Sequence, residues 1–509
     1  MVTEARTTAG IRSASLSRGR WPSLPVLALM GCMALLFVLR YPIAGEHYGF
    51  SADSGSYLQT RWWVLGQDNI GVQPMHWRPP LIGIILVPVT ALLGDLQGSK
   101  LLALLSSVLI AAPVFVILRE RGVRPWLALL ASVVAAIQPA LGGMTTGGYL
   151  SMLAAVPLLL GIHWLDQAMY AVLNAESPKA PAFKAAACAF LVAGLNQTMT
   201  ALFVVAVGIV LAVNLVRAYQ AVGWYKPFRG AYWVMFGVAA LSGVAMLPWV
   251  IGFMIPAMAS GYYYADEPWL WVAEAPGAFV ALWVGMAFVL WRPLWGVLVL
   301  AFAVMALFGS TNIAFNNVLH RAGVWTPLFC TIGLALILEG LRARLPEHWQ
   351  KKAALAGLAL LATVLVFGNV LWMQSARATA DGVEMLTADQ LAGIDWIKGN
   401  TTAEDVVYTH PSGAGWWVGG LANRAWIGSW YVAPVVAADQ QQAFYCAMGW
   451  RAGCDPYELR DRYGVTVLLF DTSSWQTIRT APQPGEWNLD QPWFAEQVHY
   501  GEVSILRWQ

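Results

Sequence analysis

Eleven apolar stretches, most of them close to the roughly 20 residues that cross a bilayer as a helix, constrain this chain more than any motif in it. They run over about 22–40, 100–118, 125–141, 150–172, 184–196, 198–216, 231–250, 277–291, 294–309, 323–341 and 353–373. A lipid core offers backbone amides no water, so such stretches must be helical. The fifth and ninth are short. Leu81–Leu93 is apolar too, but it contains Pro88 and is too brief for a full crossing, so it reads as an interfacial or re-entrant helix. Counting it as a crossing would reverse every later loop, and the basic residues decide against that.

With the N-terminus inside, seventeen Lys and Arg fall in cytoplasmic segments: Arg6, Arg12, Arg18, Arg20, Arg119, Arg121, Arg124, Lys179, Lys184, Arg217, Lys226, Arg229, Arg292, Arg342, Arg344, Lys351 and Lys352. Before residue 374 the outer loops receive five, namely Arg40, Arg61, Arg78, Lys100 and Arg321. The positive-inside rule favours this threading. It makes the first stretch a retained signal anchor and puts the C-terminal region outside the cytoplasm. Only 11% of residues are charged, against roughly 25% in soluble proteins, and a net charge of +2 offers no support for nucleic-acid binding. Cys32, Cys188 and Cys330 fall in apolar stretches and read as packing residues. Cys446 and Cys454 are near enough to bridge in an oxidising compartment.

The polar segments then acquire chemical character. The first outer loop, 41–99, contains Gly45–Pro80, a long polar stretch with Asp53, Asp68, His76 and Arg78 among aromatics, and Glu46 and His47 at its entrance. Ile251–Pro276 has Asp266, Glu267 and Glu274 beside Tyr262, Tyr263 and Tyr264. Gly142–Tyr149 reads as a Gly- and Thr-rich loop without an acid, and Ser310–Arg321 as a loop carrying Asn312, Asn316, Asn317, His320 and Arg321. From about Ala376 the pattern becomes that of a soluble domain. Leu386–Lys398 has helical spacing, Val406–Tyr408 and Val465–Phe470 read as buried strands, PYELRDRYG as a helix, and Glu502–Trp508 as a last edge strand. The expected division is 1–375 in the membrane and 376–509 as an extracytoplasmic α/β domain.

In this order of pieces the chain resembles the GT-C superfamily of membrane glycosyltransferases. SADSGSYLQTRWW is similar to the first-loop motif of the catalytic subunit of oligosaccharyltransferase and its single-chain relatives, an Asp followed by an aromatic and an Arg. HRAGVWTPLFC is similar to a segment whose Arg binds the lipid-linked diphosphate, and GWWVGGLANRAWIG to the segment after the WWDYG signature, with Asn423 and Arg424 matching an Asn-Arg pair. Where that signature should stand, the chain reads His410 to Gly415, keeping only the final Gly. Where the family has an acidic metal-binding motif, it has Leu150, Ser151 and Met152.

The resemblance implies a polytopic helical GT-C fold and inverting transfer of a sugar from a polyprenyl-phosphate carrier to a glycan, lipid or protein acceptor. It makes Asp53 the catalytic base and Arg321 a phosphate ligand. Tyr57, one helical turn from Asp53, and His76, Arg78 and His320 are the other candidate substrate ligands. Trp62, Trp63 and Trp77 could stack on a sugar or hold lipid. Each has a plainer reading: Asp53 as a helix cap, Arg321 as a snorkelling side chain, His76 as part of a rigid loop exit before Pro79 and Pro80. No cofactor is certain. A divalent metal (Mg or Mn) belongs to the oligosaccharyltransferase pattern, and Asp266 and Glu267, otherwise solvated loop charges, could replace its missing ligands. Trp416 and Trp417 read as packing residues at the domain junction. His163 and Asp166, near the cytoplasmic end of the fourth stretch, could be a buried polar pair. Two other readings stand beside the transferase: a divergent oligosaccharyltransferase, and a non-catalytic transporter or assembly subunit of surface polysaccharide synthesis.

Overall fold

The computed structural model describes residues 23–46, 49–50, 52–67, 79–223, 230–255, 275–309, 316–382, 386–410, 414–427, 434–448, 453–471 and 491–508. The helices of the N-terminal three-quarters are α1 (Leu24–Arg40), α2 (Pro42–Glu46), α3 (Ala52–Val64), α4 (Leu81–Leu93), α5 (Asp95–Leu109), α6 (Ala111–Glu120), α7 (Pro125–Ala136) and α8 (Pro139–Leu173). There follow α9 (Lys179–Leu195), α10 (Gln197–Val222), α11 (Gly230–Trp249), α12 (Ala275–Trp291), α13 (Pro293–Gly309), α14 (Asn316–Arg342), α15 (Glu347–Thr363) and α16 (Asn369–Gly382). All eleven apolar stretches fall on these helices. By length and composition, seven segments among the described residues can cross a membrane, or eight if Pro125–Ala136 and Pro139–Thr146, bent by 51°, form one broken span. The protein is a multi-pass integral membrane protein.

Four local expectations change. Arg40 and Lys100, counted above as outer-loop cations, are buried inside the bundle, on α1 and α5. Gly142–Tyr149 is helical up to Thr146, with a break at Gly148 (φ −175°, ψ 56°), rather than a loop. Its small residues let it lie close against α16, and its threonine hydroxyls bond back to carbonyls: Thr145 Oγ1 to Leu141 O (2.7 Å) and Thr146 Oγ1 to Ala376 O (3.1 Å). α14 begins at Asn316, inside the expected Ser310–Arg321 loop. His163 and Asp166 are buried but not paired with each other. His163 bonds Glu120 at 2.7 Å, and Asp166 is held by Arg121, Arg217 and Asn214.

The C-terminal region is a five-stranded mixed sheet in the order β2-β1-β3-β5-β4. Its strands are β1 (Val406–His410), β2 (Ala425–Ile427), β3 (Val465–Asp471), β4 (Phe494–Tyr500) and β5 (Val503–Trp508). β1 runs parallel to β2 and β3, and β5 antiparallel to β3 and β4. Glu502–Trp508 is therefore an inner strand and not the edge. Val503 and Ile505 face one core, and Leu506 faces the other, so both sides of the strand need cover. The helix Ala388–Asn400 covers one face, its first turn closed by a capping box between Thr387 and Gln390. Helices Pro434–Ala447 and Glu458–Tyr463 cover the other. Cys446 and Cys454 are disulfide-bonded, with Cα atoms 5.8 Å apart.

The two halves share α3. Tyr57 belongs to the core of the membrane helices, whereas Leu58, the next residue, belongs to the core beneath the sheet with Leu386, Ile394, Trp416 and Ile505. Leu58→Ala should thus destabilise the C-terminal region by about 2–5 kcal/mol, the usual cost of the cavity left by a fully buried leucine. Thermal unfolding read by limited proteolysis of the purified protein should show this loss, while Leu65→Ala, at a position 44% exposed, should not. Equal shifts would mean that α3 is no part of that core.

Candidate active site

Within the first outer loop ADSGSYLQTRWWV folds as α3, with small residues in its first turn and apolar residues that serve two cores. Asp53 is the second residue of α3, and its side chain lies outside the described residues. Tyr57 follows one turn later and is 2% exposed. Its ring meets Tyr149 edge-on with centroids 4.9 Å apart, and the Tyr149 hydroxyl lies 3.3 Å from Ser99 Oγ. Lys100, the next residue on α5, donates to Ala44 O at 2.6 Å. Tyr57, Tyr149 and Ser99 thus form a buried polar wall where α3, α5 and α8 meet, and Lys100 ties α5 to α2.

Two clamps fix α3. On the membrane side Arg61 donates to Thr90 Oγ1 (2.9 Å), forms a two-pronged ion pair with Asp95, and lies 4.1 Å over the Trp62 ring. On the sheet side the backbones touch. A Cβ on Gly55 would come within 2.7 Å of the Trp416 carbonyl, and one on Gly420 would strike Gly55 O. The π-helical turn Val418–Ala422 also accepts the Trp62 indole N–H at Gly420 O (2.8 Å). Trp416 and Trp417 are buried at this junction, Trp416 edge-on to Trp426 at 4.9 Å.

The expected site residues therefore separate. Tyr57 is placed in full. His320 and Arg321 lie in the first turns of α14, with their side chains outside the described residues. His76, Arg78, Asp266 and Glu267 lie outside the described residues, as do His47, Asp68, Trp77, Tyr262, Tyr263, Tyr264 and Glu274. Asn423 and Arg424 are structural here. Asn423 adopts the left-handed conformation that ends the π turn and donates to Gln67 O at 2.7 Å. Arg424 donates to Thr401 Oγ1 and to the carbonyls of Thr401 and Ala422 (2.7–2.9 Å). Burial draws its pKa down from the ordinary arginine value, countered by the charge of Asp405.

Motif spacing did not single out Ser99, Lys100 or Tyr149. Lys100 did carry a signal, as a lone cation at the head of an apolar run. At the position of the family's second acidic motif, Leu150 and Met152 are buried apolar residues and the Ser151 hydroxyl accepts from Asn196 Nδ2 (3.2 Å), a set that does not fit a divalent metal. Among the described residues no three His, Cys, Asp or Glu side chains gather as metal ligands.

No protein-family model matches the chain, and no curated protein is significantly similar to it. Among solved structures it is similar to ArnT from Cupriavidus metallidurans bound to undecaprenyl phosphate, with a TM-score of 0.53 and 13% identity over 94% of this chain and 97% of that one. Against the apo state of ArnT the TM-score is 0.52 at 12% identity, with the same shares covered. The oligosaccharyltransferase of Archaeoglobus fulgidus, in complex with Zn and sulfate, gives 0.49 at 13% identity over 87% of this chain and 68% of that one. The fold is of GT-C type, matched to ArnT along almost the whole chain.

Arg61→Ala should strand Asp95 beside the bundle at a cost of about 1–3 kcal/mol, below that of a fully buried pair because Asp95 keeps 26% of its side chain exposed. The double variant Arg61→Met with Asp95→Leu should recover most of that loss in thermal unfolding of the purified protein. No recovery would show that the pair is not what holds α3 to α4 and α5.

Proposed function

We propose that this GT-C-fold protein is an inverting glycosyltransferase that moves one sugar from a polyprenyl-phosphate carrier to an acceptor on the outer face of the membrane. The observation that carries this reading is the placement of Asp53 in the first turn of a polar helix clamped between the membrane bundle and the sheet. The whole-chain fold likeness to ArnT, solved with undecaprenyl phosphate, supports it. The threading supports the outer face. With Arg40 and Lys100 buried in the bundle, the bias of basic residues toward the other face only grows.

In the proposed reaction Asp53 accepts the proton of the acceptor hydroxyl. The acceptor oxygen bonds to the anomeric carbon from the side opposite the carrier, and the carbon–oxygen bond to phosphate breaks with its electron pair leaving on the phosphate. Arg321, His320, Arg78 and His76 are the proposed phosphate ligands, with Lys100, which follows Ser99 on α5, as a further cation. The apolar residues at the second acidic position support a reaction that needs no protein-bound metal.

Asp53→Asn should lower transfer by roughly 10²- to 10⁴-fold, the range for loss of a general base. The measurement is mass spectrometry of lipid and surface glycans from cells lacking the gene, complemented with the parent or the variant, and an assay of membranes with and without EDTA. Restored glycans with Asp53→Asn would remove this residue as base, identical profiles in all strains would remove the transferase reading, and loss of activity in EDTA would remove metal independence.

A further inference from the structure

We propose that Arg40 is a positioning residue for the candidate site: it holds the break between α7 and α8 and, through Trp372, the segment that sets Tyr149 against Tyr57. The proposal rests on reading the α3–Tyr149 wall as the substrate site. Arg40 is fully buried at the end of α1. Its hydrogen-bond partners among the described residues are all neutral: Asn369 Oδ1 at 3.1 Å, Ser107 Oγ at 2.8 Å and Ala136 O at 2.8 Å. The guanidinium lies 3.9 Å over the Trp372 ring. One side chain thus joins α1, α5, α7 and α16.

The Ala136 contact explains why a cation is needed there. Pro139 lacks an N–H and pushes Gln138 into extended geometry (φ −59°, ψ 131°), so α7 ends at the buried Ala136. The last carbonyls of a helix have no intrahelical partner, carry the negative end of its dipole, and cannot turn to water inside a bundle. Arg40 supplies both a donor and a positive charge. From Arg40 the contacts run onward. Trp372 gives its ring to the guanidinium and its carbonyl to the closest approach of Gly142, where a Cβ would collide. One turn later Thr146 Oγ1 donates to Ala376 O at 3.1 Å. Gly148 then leaves helical geometry, and Tyr149 reaches Tyr57.

The test is oxidative cross-linking of a Thr146→Cys, Ala376→Cys pair in membranes, with Cys32, Cys188 and Cys330 replaced by Ala. A second pair, Ser151→Cys with Asn196→Cys, reports on the bundle beyond the break. Arg40→Met should slow cross-linking of the first pair by roughly tenfold, the loss expected from charge-assisted hydrogen bonds, and leave the second pair unchanged. Arg40→Lys, which keeps a cation for Ala136 O, should recover most of the rate. Unchanged cross-linking of the first pair in Arg40→Met would overturn the proposal, and so would an equal fall in both pairs, which is what a merely structural residue gives. If Arg40→Met fails to accumulate, Asn369→Ala, which removes one acceptor only, is read by the same two pairs. No substrate enters this assay, so its outcome is independent of whether Asp53→Asn abolishes transfer.

Discussion

The pairing of Arg61 with Asp95 settles where the polar helix α3 can lie, and most of the site geometry depends on it. A helix with Asp, Gln, Thr and Arg along its length has no reason to enter lipid. It lies against the bundle because Arg61 satisfies a carboxylate and a threonine hydroxyl there while its plane covers Trp62. Its opposite side is then free to meet the π turn Val418–Ala422, which glycines bring to backbone contact. Tyr57 and Leu58 thereby enter two different cores. The sheet region is held by this seam as much as by the chain that leads into it.

The bilayer explains the irregularities as well as the helices. Breaks at Ile137–Gln138, Gly148 and Asn196 free backbone groups that lipid cannot satisfy, and a polar side chain stands at each of two of them. Asn196 caps α10 through Met199 N (2.9 Å) and donates to Ser151. Arg40 takes the Ala136 carbonyl. Asn196 reaches Ser151, two residues past Tyr149, and Arg40 holds the end of α7 that leads into α8, so both breaks flank the α8 segment bearing Tyr149.

Much of this was legible in the residues. Apolar runs gave the helices, and the change of period near Ala376 gave the sheet region with its first helix and two of its strands nearly to the residue. A helix after Asp53 puts Tyr57 one turn on, and α3 carries both residues. The misreadings share a physical cause, since a linear reading treats polarity as exposure. Arg40 and Lys100 looked like loop cations because charges are normally excluded from lipid, but each found carbonyls inside the bundle. Gly142–Thr146 looked like a loop because Gly and Thr favour turns, yet small residues also let helices approach closely. Glu502–Trp508 looked like an edge because its residues alternate in polarity, and pairing with β3 and β4 shows that it is interior. Ser99 and Tyr149, far apart in sequence, meet only through the fold, so spacing could not bring them together.

Among the described residues, the two buried arginines show how depth selects the partner. Near the surface Arg61 faces a carboxylate, because Asp95 retains some water and its desolvation is incomplete. Within the bundle a second ion would add its own desolvation penalty to that of the guanidinium, and their attraction would have to offset both. Arg40 avoids this with dipoles that are already there: a helix-end carbonyl that needs a donor, an amide, a hydroxyl and the face of an indole. These groups are fixed by the helices that carry them, so the cation and the break stabilise each other. A carboxylate in place of Ala136 O would bind Arg40 more strongly but would leave the end of α7 unsatisfied. The neutral shell is therefore what ties this charge to the shape of the broken helix rather than to a single partner.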